Sequence, residues 1–265
     1  MQTTEATIRS RREFLLRSCV AAALVSGSCL AFPLARAQQI ADNSRFIGNL
    51  NLHVSERDGK ALYTLLDDFG YVDPNGKRWQ AKLGLETDGA TIPPVFWPIV
   101  GHPFEGLYVK AAVIHDYYCL EQHRYREWEK VHHVFHEGMI TNGVNSIKAA
   151  LMFYAVWRFG PRWRVEEIKP CTPTAGEFCV SAEPTAYQVT SETVASFSHD
   201  DERAQLQRIK AALDSQKITV ADIPEIEAKL PSLQRLQTFR DVPARSGDGW
   251  WLRHPYDFPL EAPQT

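Results

Sequence analysis

Leu107-Tyr108-Val109-Lys110-Ala111-Ala112-Val113-Ile114-His115-Asp116-Tyr117-Tyr118-Cys119-Leu120 is apolar on nearly every side of a helical wheel. A helix of that composition belongs inside a core rather than on its surface. It cannot bury itself alone, so the segments on either side must supply the layers that cover it.

Upstream, residues 45 to 86 read as β structure. Phe46 to Val54 alternates as a strand, and Arg57-Asp58-Gly59 is a turn signal ahead of Ala61 to Leu66. Tyr71-Val72 meets Asp73-Pro74-Asn75-Gly76, a hairpin turn, and Arg78 to Leu83 returns. Thr87 to Pro103 is a loop stiffened by Pro93, Pro94, Pro98 and Pro103. Downstream, Arg126 to Ile140 is amphipathic, with Trp128, Val131, Phe135 and Met139 on one face. Asn145 to Phe159 turns Ile147, Leu151, Tyr154 and Ala155 toward the core, and Gly143 and Gly160 are helix stops. From Pro161 the pattern weakens: 161–198 reads mostly as loop, and Ser198-His199-Asp200-Asp201 caps a helix to about Leu213. The expectation is an α+β protein with a small antiparallel β region followed by a three-helix core. A mostly irregular or helical C-terminal extension closes the chain, with an aromatic tail at Trp250, Trp251, Tyr256 and Phe258. The domain boundaries expected are 1–37, 45–163 and 164–265.

His115-Asp116 interrupts the buried helix. Burying two ionisable groups among Ala111, Ala112, Val113, Ile114 and Leu120 costs several kcal/mol unless each finds a partner. His132 lies on the inward face of the next helix, one turn from Trp128 and Phe135, and is the natural neighbour. His136 follows one turn later, and the His132/His136 spacing lets two imidazoles hold one ion. Five of the nine histidines fall between His115 and His136. Asp88, at the end of a strand and before rigid prolines, either makes an Asx turn or presents a carboxylate. The catalytic candidates are therefore His115, Asp116 and Asp88. The candidate ligands of a divalent metal such as zinc are His115, Asp116, His132 and His136.

Thr87-Asp88-Gly89-Ala90-Thr91-Ile92-Pro93, followed by Ala111 to Tyr118 and a helix ending in Phe135 and Met139, resembles the domain-of-unknown-function family 1353 of phages and bacteria. The resemblance runs from about Phe46 to Trp163. It implies a small α+β domain and no established activity. Where that family typically has an Ala-Asp pair before its Phe, this chain has Val131-His132. Asp and His are alternative metal ligands and proton carriers.

The N-terminus reads as a twin-arginine signal peptide. Ser10-Arg11-Arg12-Glu13-Phe14-Leu15-Leu16 precedes an uncharged run from Ser18 to Leu34, and Ala35-Arg36-Ala37 supplies the small residues for cleavage. That run is too short and too rich in Ala, Ser and Gly for a membrane span, so no transmembrane span is expected in the mature chain. A periplasmic or secreted location follows. Of the 29 basic and 32 acidic residues, residues 1–37 hold five and two, so the rest carries a formal net charge of −6. Such a surface argues against nucleic acid as a partner and leaves an envelope ligand or substrate. Cys171 and Cys179 flank a loop and are expected to pair, with Cys119 as a small buried hydrophobe.

Two functions fit. One is an exported hydrolase using the His/Asp site. The other is a non-catalytic, phage-derived binding or assembly module in which the same residues pin the helices together. Solvent access to the site discriminates them.

Overall fold

A computed structural model describes residues 44–57, 60–87, 97–100, 106–124, 126–168 and 186–243. Residues 39–265 cluster as one compact unit. Residues 1–37, where a signal peptide is expected, Asp88, Cys171, Cys179 and the aromatic tail lie outside the described residues.

The β region is built from β1 (Arg45–Ile47), β2 (Leu52–Arg57), β3 (Lys60–Leu65), β4 (Phe69–Val72), β5 (Arg78–Ala81) and β6 (Glu86–Thr87). They form two antiparallel three-stranded sheets, ordered β1-β4-β5 and β2-β3-β6. The single strand expected over Phe46 to Val54 is thus two strands in two sheets. The break falls at Gly48, whose φ of 82° suits only a residue without a side chain. The β4–β5 hairpin stands where its turn residues put it. The Asp73 carboxylate accepts from the Asn75 and Lys77 backbone N–H groups and from Trp79 Nε1, at 2.9, 3.0 and 3.0 Å.

Three helices follow a single helical turn at Trp97–Val100: α1 (Val109–Cys119), α2 (Trp128–Thr141) and α3 (Ser146–Phe159). Helix α1 is central, as its composition requires. Ala111 and Ala112 face α2 and α3 in one hydrophobic cluster. Val113, Ile114, Tyr117 and Tyr118 face β4 and β5 in another. Tyr118 locks that second contact, its hydroxyl accepting from Gln80 N at 3.0 Å. Helices α1 and α2 approach closely at Gly138, where a Cβ would lie 3.0 Å from Ala111 Cβ. Asn145 caps α3, accepting from Ile147 N and Lys148 N.

After α3 the chain adds β7 (Arg162–Ile168), β8 (Ala186–Ser196), α4 (His199–Asp214), α5 (Ile223–Ala228) and β9 (Gln234–Pro243). The three strands form a third antiparallel sheet, ordered β7-β8-β9. This corrects the loop expected over 161–198: both ends of that stretch are strands, paired from Arg162↔Glu192 to Ile168↔Ala186. Trp163 and Val189 join the cluster on the β4–β5 side, while Leu206, Ile209, Leu213 and Ile223 join the α3 cluster. Ser198 caps α4 as its sequence indicates, accepting from Asp201 N. Among the described residues no helix is long and apolar enough to cross a membrane.

Candidate functional site

Helices α1 and α2 bring His115 and His132 face to face. His115 Nε2 lies 2.9 Å from His132 Nδ1, and the two rings are tilted by 33° with centroids 5.0 Å apart. Both are sealed, at 2% and 0% exposure. Phe135 closes one side of His115, and Trp128 and Trp157 flank His132 edge-on.

Cys119 is the residue that sequence reasoning missed. It stands one helical turn after His115, and its Sγ lies 3.5 Å from His115 Nε2 and 3.8 Å from Nδ1. The donor atoms of His115, Cys119 and His132 all fall within 4.8 Å of one another. The i, i+4 rule that singled out His132 and His136 applies equally to His115 and Cys119, and was the available signal. His136 is buried, but its ring packs edge-on to Phe153, and among the described residues it is not part of this donor group.

Asp116 connects the buried rings to the outside. One carboxylate oxygen, Oδ1, is 3.4 Å from His115 Nδ1; the other accepts from the Thr87 hydroxyl at 2.5 Å. Thr87 ends β6, so that strand reaches α1 through this contact. Asp116 keeps 11% of its side-chain surface exposed. Together with Cys119, Thr87, Arg57, Glu86 and Arg124 it lines a cleft of about 650 Å³. An ion pair between Arg57 and Glu86 edges that cleft, with two 3.0 Å contacts.

The charges follow from these distances. Burial alone would push the His115 imidazole down; the Cys119 sulfur and the Asp116 carboxylate outweigh it and hold the ring above the usual histidine range. His132 is pushed well below that range, first by burial and then by His115 and Arg162 nearby. His132 Nε2 faces the Gly160–Pro161 backbone. The Pro161 carbonyl is close enough to favour a protonated ring there, but no hydrogen bond of normal geometry forms.

Comparison with known proteins is consistent in both extent and silence. A family profile described as "Protein of unknown function (DUF1353)" matches residues 63–156, spanning β3 through most of α3. The chain is 36% identical over 243 residues to the uncharacterized protein y4iH of Sinorhizobium fredii (strain NBRC 101917 / NGR234), covering 88% of this chain and 96% of that one. It is 40% identical over 159 residues to the uncharacterized protein y4jT of the same organism, covering 57% of this chain and 46% of that one. No solved structure matches the chain. The chain belongs to the DUF1353 family of proteins of unknown function.

Proposed function

We propose that this protein is an exported hydrolase whose reaction takes place in the cleft beside Asp116. The observation that carries the reading is a buried His115–His132 pair joined through one carboxylate to a solvent-facing wall. Strongly perturbed groups set next to a cleft are more frequent at functional sites than elsewhere. Asp116 is the catalytic residue: it takes the proton from the attacking water as that water's oxygen bonds to the substrate's electrophilic centre, and it returns that proton to the leaving group as the bond to it breaks. His115 is a positioning residue, donating from Nδ1 to Oδ1, while Thr87 donates to Oδ2. These two donors fix the carboxylate in one orientation.

The test uses chromogenic probes, since the natural substrate is unidentified: p-nitrophenyl acetate, p-nitrophenyl phosphate and bis-p-nitrophenyl phosphate. Turnover of at least one is expected, with Asp116→Asn reducing it by about 10²-fold or more at unchanged melting temperature. Rates at the buffer level for all three, or equal rates in Asp116→Asn, count against the reading. Export is tested separately: Arg11→Lys with Arg12→Lys should leave precursor in the cytoplasm, and normal accumulation outside it would refute that half.

The binding-module reading has its own observation. Both imidazoles are closed to solvent, as a structural network requires and a directly acting base does not allow. Under that reading Asp116→Asn changes stability alone.

A further inference from the structure

We infer that His115 Nε2, His132 Nδ1 and Cys119 Sγ form a zinc-class divalent metal site that leaves one coordination position to a ligand from the cleft. The proposal concerns binding and stands whether or not the cleft is catalytic.

The first argument is a hydrogen inventory. A neutral imidazole has one N–H and one lone pair. His115 Nδ1 faces the Asp116 carboxylate and His132 Nε2 faces the Pro161 carbonyl, both acceptors, so both outer nitrogens call for hydrogens. Two neutral rings then meet lone pair to lone pair at the 2.9 Å contact, which calls for one positive charge between the inner nitrogens. A proton can supply it, and so can a metal cation. Both outer nitrogens then keep their hydrogens, one for the Asp116 carboxylate and one for the backbone carbonyl. This is the outer arrangement that metal-bound histidines adopt, with carboxylate or carbonyl partners that set the tautomer.

The second argument is the donor set. An ion bound tetrahedrally holds two nitrogens roughly 3.3 Å apart, and nitrogen and sulfur roughly 3.6 Å apart. The distances are 2.9 Å between the nitrogens and 3.5 Å from Cys119 Sγ to His115 Nε2. The rings need to part by only about 0.4 Å to admit the ion. Two imidazoles and a thiolate suit zinc better than magnesium or calcium, which require oxygen. Arg124, buried, donates from Nε to the Cys119 carbonyl at 2.9 Å and so fixes the end of the helix that carries the sulfur.

The third argument is access. The three donors do not complete a four-coordinate shell, and Cys119 and Asp116 both line the cleft. Three protein ligands with an open fourth position are the pattern of reactive rather than structural zinc sites.

The test is elemental analysis of the purified full chain, followed by cobalt titration of the chelator-stripped protein. One equivalent of zinc and a near-ultraviolet sulfur-to-cobalt charge-transfer band are expected. Cys119→Ser should abolish that band, and His115→Gln and His132→Gln should each weaken cobalt binding at least tenfold. His136→Gln should leave stoichiometry unchanged. The wild-type spectrum decides the matter even if a variant fails to fold: absence of stoichiometric zinc together with absence of the band overturns the site. Retention of one equivalent and the band in Cys119→Ser overturns the ligand set. Loss of the metal without loss of probe hydrolysis would separate this site from the proposed reaction.

Discussion

Arg158 and Glu202 meet between α3 and α4 much as His115 and His132 meet between α1 and α2, deep in a core and away from water. In the first pair the charges close. Arg158 donates from Nε and Nη2 to the two Glu202 oxygens at 2.8 and 2.6 Å, one cation against one anion in a fork. Glu227 lies 3.5 Å from Arg158 and 3.0 Å from Arg162, so the second carboxylate has its own cation. In the histidine pair two like groups meet at 2.9 Å, and the nearest carboxylate oxygen, on Asp116, is 3.4 Å from His115. The difference separates two uses of buried polarity. A balanced pair holds α4 against α3, whereas an unbalanced one is a place for something to bind.

Breaking the balanced pair gives the largest expected effect. Glu202→Ala leaves the Arg158 guanidinium buried without its fork and should cost about 3–5 kcal/mol in chemical denaturation. A loss below about 1 kcal/mol would mean that water reaches the pair and that the contrast is false. The histidine pair should respond less, and conditionally. His115→Ala should cost about 1–3 kcal/mol with the metal stripped. A chelator should lower the wild-type melting temperature and leave that of His115→Ala unchanged, since only the wild type gains from ligand linkage. Equal sensitivity of both proteins to the chelator would place the ion elsewhere. The smallest effect belongs to the exposed Arg57–Glu86 pair at the mouth of the cleft. Its side chains are 63% and 46% exposed, and Arg57→Ala should change stability by no more than about 0.5 kcal/mol. A larger loss would show that the cleft's rim, and not only its floor, is structural.

The parts legible in the sequence were those written in one local code. The all-round apolar helix α1, the Asp73 hairpin, and the Asn145 and Ser198 caps each depend on neighbours within a few residues. His115 and Asp116 stood out for a related reason, being ionisable groups where the pattern demanded apolar ones. Cys119 did not, because a cysteine in such a helix satisfies the pattern and looks like packing. His136 shared a spacing with His132, but spacing fixes only the face of a helix. Which way each ring turns was decided by Phe153 on another element. Strand β8 hid for a different reason. Among Gln188, Val189, Thr190, Ser191 and Glu192 only Val189 and Ser191 are buried, so its inward face carries almost no hydrophobic signal and is defined by its long-range partners β7 and β9.

Gly138 has a reach beyond its own contact. It sits six residues past His132 on α2, against Ala111, which lies four residues before His115 on α1. The two helices therefore work like tongs whose fulcrum is that hydrogen-for-side-chain contact, and the jaws are the two imidazoles. A methyl group at the fulcrum must spread the jaws or shift the grip, because its carbon would press on Ala111 at 3.0 Å. The spacing of the two rings is thus set in part at a residue that touches neither of them.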